Sequence, residues 1–104
     1  MGEIAEVAAE LAAFAKDRDW EKFHLPRSLI LALVGEVGEL AEQVQWRTDD
    51  EIHDLVAEAP DLVGLELADI AIYLIRLADV LNIDLESDIR RKIELNMKRF
   101  PRSG

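Results

Sequence analysis

Apolar residues recur at intervals of three and four along almost the whole chain, and this spacing limits the fold more than any other feature of the sequence. It places apolar side chains on one face of an α-helix, whereas the alternation typical of β-strands is not sustained anywhere. Pro26, Pro60 and Pro101 interrupt the pattern and mark where helices begin or end. The sequence therefore predicts an all-α fold.

The pattern predicts four main helices and a short one, at about 3–17, 26–46, 50–58, 60–82 and 84–99. Thr48 offers an N-cap to the short helix. The length of 104 residues suits one domain, so we predict that 1–104 forms a single bundle of four to five helices. Three long helices carry wider apolar faces than a thin bundle can cover, which predicts a homo-oligomer.

Composition excludes several classes of function. The net charge of −10 repels phosphate backbones, so we expect no nucleic-acid polymer as partner. The sequence contains no cysteine, which excludes thiolate chemistry and fits a cytoplasmic location. No apolar run reaches the ~18 residues of a membrane span, and the acidic start lacks the basic region of a signal peptide. We therefore expect no membrane association.

Two carboxylate pairs interrupt the apolar helices: Glu36 with Glu39, and Glu66 with Asp69. Residues three apart on a helix share a face, with Cβ atoms ~5–6 Å apart. If the two helices pack together, all four acids converge and require a cation to stay ionised. Mg²⁺ suits such oxygen ligands and keeps waters for substrate phosphates, with Mn²⁺ as a substitute.

Two other interpretations of these acids remain open. A single pair is usually a solvated surface charge, but two pairs on two apolar helices favour the metal site. A di-iron bundle requires Glu-x-x-His on paired helices, and neither pair contains histidine.

These motifs resemble those of a known family. Glu36-Val-Gly-Glu39, followed after 26 residues by Glu66-Leu-Ala-Asp69, resembles the E-x-x-E and E-x-x-D signature of the MazG-like all-α nucleoside triphosphate pyrophosphohydrolases. The segment from Lys92 to Pro101 is similar to the family's K-x-x-x-N-x-x-R-[YF]-P ending. Within that superfamily, residues 18–27, 31–42 and 45–46 resemble the dCTP pyrophosphatases, and the likeness covers roughly residues 11 to 101.

The resemblance implies a helical bundle whose active site forms by association, typically as a tetramer made of two dimers. The implied Mg²⁺ ligands are Glu36, Glu39, Glu66 and Asp69. The implied triphosphate contacts are Lys92, Asn96 and Arg99. The candidates for the base pocket are Trp20, His24, Trp46 and Tyr73.

Each candidate outside the acid pairs also has a structural interpretation. Basic residues late in a helix, such as Lys92 and Arg99, favour its dipole. Tryptophans are more often packing anchors than ligand platforms. His24, which is close to a proline, would by default be a loop residue, and Tyr73 could reach the site or simply pack.

One position departs from the family pattern. A histidine of the first helix contacts the base in vertebrate members of the group, and Leu11 occupies that position here. The base preference therefore stays open between dCTP, a 5-modified dCTP, dUTP, another triphosphate and a damaged nucleotide.

The expected reaction is Mg²⁺-dependent hydrolysis of a dNTP to dNMP and pyrophosphate, with dCTP or a 5-modified dCTP favoured, in cleansing of the nucleotide pool. We place Glu36 and Glu39 in the catalytic set, with Glu36 as first choice for the base that activates water. The sequence does not separate base from ligand among the four acids. The alternative outside this class is a non-catalytic helical nucleotide-binding or oligomerisation module.

Overall fold

The computed structural model describes residues 2–102 and is helical, with no β-strand in that range. The elements are α1 (Glu3–Asp17), a short 3-10 helix (Glu21–Phe23), α2 (Pro26–Val44), α3 (Asp49–Glu58), α4 (Pro60–Val80) and α5 (Leu85–Arg99). All five α-helices were predicted, with bounds that differ by at most about two residues. The ends of the predicted domain, Met1, Ser103 and Gly104, lie outside the described residues.

Local sequence signals set where the helices begin. Pro26 and Pro60 occupy the first turns of α2 and α4, where the missing N–H of proline is not needed. The hydroxyl of Thr48 accepts a hydrogen bond from the backbone N–H of Glu51 at 3.2 Å, and the Glu51 carboxylate accepts one from the N–H of Thr48 at 3.1 Å. This capping box starts α3 immediately after α2 has ended.

Helix α4 lies at the centre of the fold. It packs along α2 and also contacts α1 and α3, while α5 folds back against α1. Within residues 2–102 the buried apolar residues are few: Ala15 from α1, Leu29 from α2 and Ala78 from α4. Glu66 and Arg76, both on α4, are equally buried although they are charged. The packing around α4 therefore brings charged side chains into the interior of the chain.

Large apolar side chains remain exposed along the two longest helices. Leu31 and Val34 of α2 are each 61% exposed, and Leu65 of α4 is 62% exposed. Every residue of α5 from Ser87 onward is also exposed. The predicted excess of apolar surface is thus present in the single chain. Among the described residues, no helix combines the length and the apolar character needed to cross a membrane.

Candidate active site

The carboxylates of Glu36, Glu39 and Glu66 converge where α2 packs against α4. One oxygen atom of each lies within 4.8 Å of the others. Glu66 is buried in the helix interface, Glu36 is half-buried and Glu39 is exposed to solvent. Three of the four acids of the two predicted pairs therefore lie together. Because Glu39 is exposed, this group is open to solvent on one side.

Asp69, the fourth acid, lies next to this group without belonging to it. It lines the same cleft as Glu36, and its charge contributes to the raised pKa of Glu36. Asp69 follows Glu66 by nearly one helical turn, so the two share a face of α4. The predicted four-acid site thus has three carboxylates in one group and the fourth beside Glu36.

Burial and mutual repulsion perturb the acids strongly. Burial, followed by the neighbouring Glu39 and Glu36, raises the pKa of Glu66 to about 7. Burial first, then Glu39 and Asp69, raises the pKa of Glu36. Glu36 Oε2 and Glu66 Oε1 are buried and find no hydrogen-bond partner within residues 2–102. Buried oxygens are normally partnered, so these two fit the ligand set of a hard divalent cation such as Mg²⁺.

A cleft of about 310 Å³ opens beside the acids, between α1, α2, α4 and the linker that contains the 3-10 helix. Its lining combines acidic, aromatic and apolar side chains: Leu11, Phe14, Trp20, His24, Leu29, Glu36, Asp69, Ile72, Tyr73 and Arg76. The Trp20 ring packs edge-on against Phe14, with centroids 5.5 Å apart. Three of the four predicted base-pocket residues, Trp20, His24 and Tyr73, therefore lie around one cleft that adjoins the acids.

Arg76 is a cleft residue that the sequence interpretation missed. It is 7% exposed, and its Nε donates a hydrogen bond to His24 Nδ1 at 3.0 Å. Its Nη1 donates to Asp79 Oδ2 at 3.1 Å. Burial first, then the charge of Arg76, lowers the pKa of His24. Asp69, Tyr73 and Arg76 follow the i, i+4, i+7 spacing of one helix face, a signal that could have revealed this residue.

The remaining predicted site residues are not brought to the cleft within one chain. Among the described residues, the cleft lining does not include Trp46, which is 88% exposed just beyond α2. Nor does it include Lys92, Asn96 or Arg99, which are exposed on α5. Leu11, the position that departs from the family pattern, does line the cleft.

Comparison with known proteins agrees with this geometry. Residues 32–104 match the profile of the MazG-like family. A pyrophosphatase of known structure from Archaeoglobus fulgidus superimposes with a TM-score of 0.89 at 34% identity, covering 98% of this chain and 95% of that one. The chain therefore belongs to the MazG-like family.

Individual relatives are more similar in sequence. Over 92 residues the chain is 48% identical to human dCTP pyrophosphatase 1 and 47% identical to the mouse protein. Each alignment covers 86% of this chain but 54% of the relative, so the chain spans about half the length of the curated relatives it matches. The resemblance to dCTP pyrophosphatases inferred from the sequence motifs is confirmed.

Proposed function

We propose that this protein is a Mg²⁺-dependent pyrophosphohydrolase that converts dCTP or a 5-modified dCTP to the monophosphate and pyrophosphate. Its role would be cleansing of the cytoplasmic nucleotide pool. The observation that carries the proposal is the acid group of Glu36, Glu39 and Glu66, whose unpartnered buried oxygens adjoin an aromatic cleft. The names of the similar proteins support the same reaction and the same base.

The four acids would have two roles at the phosphate end of the cleft, metal binding and activation of water. Glu36, Glu39, Glu66 and Asp69 would hold Mg²⁺, with Mn²⁺ as a substitute. When bound, the cation supplies positive charge that offsets the negative charge of the triphosphate. One of the four carboxylates, with Glu36 as first choice, would stay off the metal and accept the proton of the water that attacks the α-phosphorus, and pyrophosphate leaves. The pKa of Glu36 is raised towards neutral pH, and a general base is most effective when its pKa lies near the working pH.

The other end of the cleft suits a nucleobase. Trp20 and Tyr73 provide aromatic surface for a planar ring, and His24 provides a polar group. A volume of about 310 Å³ falls within the range of small-molecule sites and leaves room for a base rather than a polymer. The base would therefore lie among the aromatic residues while the triphosphate extends towards the acids.

Association would complete the site. We propose a homo-oligomer, a tetramer made of two dimers, that covers the exposed apolar faces of α2 and α4. In that assembly Lys92, Asn96 and Arg99 would contact the triphosphate and Trp46 would close the base pocket. Sedimentation should give a species about four times the 11.8 kDa chain mass. A stable monomer would contradict this part of the proposal.

The activity is tested by measuring pyrophosphate release from a panel of dNTPs and NTPs, including 5-methyl-dCTP, with and without Mg²⁺. The parent is compared with Glu39→Gln and with the control Glu42→Gln, an exposed acid one turn further along α2. We expect release only with Mg²⁺, largely lost in Glu39→Gln and retained in Glu42→Gln. Nucleotide binding without release by the parent would indicate a binding module instead.

A further inference from the structure

The contact between Arg76 and His24 determines where the histidine carries its proton. Nδ1 of His24 accepts the hydrogen bond from Arg76 Nε, at 3.0 Å. The arginine nitrogen always carries its hydrogen and cannot accept one, so the direction of this bond is unambiguous. A neutral imidazole has one N–H, and the accepting Nδ1 has none. His24 is therefore held in the tautomer with its proton on Nε2.

Arg76 is itself held rigidly. Its side chain is almost completely buried, and its Nη1 donates to Asp79 Oδ2 at 3.1 Å, one turn further along α4. Two hydrogen bonds from different nitrogens set the plane of the guanidinium group. The adjacent positive charge and the burial of His24 both disfavour imidazolium. The histidine consequently stays neutral and keeps the same donor.

His24 lines a cleft that also contains other hydrogen-bond donors, namely the indole N–H of Trp20 and the remaining N–H groups of Arg76. His24 and Arg76 line it together with Trp20 and Tyr73. Ionised Glu36 and Asp69 only accept hydrogen bonds, and the Tyr73 hydroxyl can either donate or accept. Leu11 adds no polar group. With its proton on Nε2, His24 can offer a base in the cleft an N–H donor whose position is set by the contact of Nδ1 with Arg76.

We propose that Arg76 is a positioning residue that sets the tautomer of His24, and that the Nε2–H reads the unprotonated ring nitrogen N3 of cytosine. The inference rests on the proposed function and extends it to base selection. Uracil and thymine carry a hydrogen on N3, so in the same pose two donors would face each other. A 5-methyl group is carried by C5, which C4 separates from N3, and it leaves N3 without a hydrogen, so 5-methylcytosine would be accepted.

The tautomer is tested without nucleotide. In the ¹⁵N-labelled parent protein, long-range ¹H–¹⁵N NMR correlations should show a protonated Nε2 and an unprotonated Nδ1 for His24. Exposed His53, the second histidine of the chain, is the internal reference, and we expect its side chain to exchange between the two tautomers. In Arg76→Met, His24 should shift towards the averaged pattern of His53. An averaged His24 in the parent would overturn the inference, whatever the variants do.

Base selection is tested by comparing kcat/KM for dCTP and dUTP. The ratio should fall about tenfold in Arg76→Met, mainly through KM for dCTP, since one hydrogen bond of fixed direction is lost. The control is Arg91→Met, because Arg91 also pairs with an aspartate three residues away, Asp88, but on exposed α5. Its ratio should match that of the parent.

His24 variants give a second test that leaves buried Arg76 in place. His24→Gln puts an N–H donor near the position of Nε2 and should keep part of the preference, whereas His24→Phe should lose it. An unchanged dCTP to dUTP ratio in both Arg76→Met and His24→Phe, with Mg²⁺-dependent turnover retained, would overturn the inference and leave the proposed function standing. Failure of the parent to hydrolyse any nucleotide would overturn the proposed function and, with it, the base-reading role.

Discussion

The two ends of the cleft are built in different ways. At the acidic end, Glu36 and Glu39 come from α2 and Glu66 comes from α4, each pair placed by the i, i+3 geometry of one helix. At the aromatic end, Trp20 and His24 come from the linker between α1 and α2, whereas Tyr73 and Arg76 come from α4. The first end depends on one helix–helix contact, and the second depends on how a linker packs against a helix.

The two ends of the cleft also differ in how their charged side chains are stabilised. The acidic end concentrates like charges that lack partners, so it favours cation binding at the expense of the stability of the metal-free protein. At the aromatic end the buried charge of Arg76 has partners, because His24 and Asp79 both accept hydrogen bonds from it. Changes at the first end should therefore act on catalysis and stability in opposite directions, and changes at the second end should act mainly on substrate affinity.

The largest effect is expected at the acidic end, in Glu66→Gln. Loss of one buried carboxylate should lower Mg²⁺-dependent turnover at least about 100-fold, because a ligand charge is removed. The metal-free variant should melt at a higher temperature than the parent at pH 8, since the neutral amide removes a buried repulsion. Steady-state kinetics and thermal unfolding in EDTA measure the two effects. The control Glu58→Gln, an exposed acid on α3, should change neither.

A smaller effect is expected at the aromatic end, in Trp20→Ala. Loss of one stacking surface should raise KM for dCTP about tenfold and leave kcat within a few-fold of the parent. The control is Phe23→Ala, since Phe23 is 62% exposed in the adjacent 3-10 helix and is not among the described residues that line the cleft. A fall in kcat as large as the rise in KM would contradict the separation between the two ends.

A pH dependence of stability should follow from the acidic end, and the lowered pKa of His24 should oppose it in part. The pKa of Glu66 rises from 4.5 to about 7 in the folded chain, so between these values the folded state binds more protons than the unfolded state. The free energy of unfolding of the metal-free protein should therefore fall as pH rises through this window. Urea titrations in EDTA from pH 5 to 8 would measure the slope. Saturating Mg²⁺ should oppose it, because the cation requires ionised ligands. A slope unchanged in Glu66→Gln would contradict this assignment.

The smallest effect is expected outside both ends, in Thr48→Ala. Loss of the capping box of α3 should lower the free energy of unfolding by about 1 kcal/mol. KM and kcat should not change, since Thr48 is not among the described residues that line the cleft. Urea denaturation and steady-state kinetics on the same preparation would test both statements. An altered KM would mean that the position of α3 affects the cleft through α4.

Local patterns were sufficient for the helices and for the acid pairs. The helix bounds depend on apolar spacing, on Pro26 and Pro60 in first turns and on the caps at Thr48 and Asp84, all of which act within a few residues of the chain. Glu36 and Glu39 had to share a face because α2 is a helix. The family resemblance pointed to Trp20 and Trp46 with His24 nearby, and helical spacing from Asp69 pointed to Tyr73. Of these four, Trp20, His24 and Tyr73 are among the described residues that line the cleft, and Trp46 is not.

What only the tertiary structure decided depends on contacts between distant segments. The hydrogen bond from Arg76 to His24 joins residues 52 positions apart, and no local pattern pairs an arginine inside an apolar helix with a histidine in a linker. The packing of α2 on α4 likewise determines that three of the four carboxylates lie in one group and that Asp69 lies beside it. Helix periodicity determines which side chains share a face, whereas the separations across a helix interface depend on how the helices pack. The sequence by itself therefore determined the helices and the acid pairs, and the tertiary structure decided their separation and the contact of Arg76 with His24.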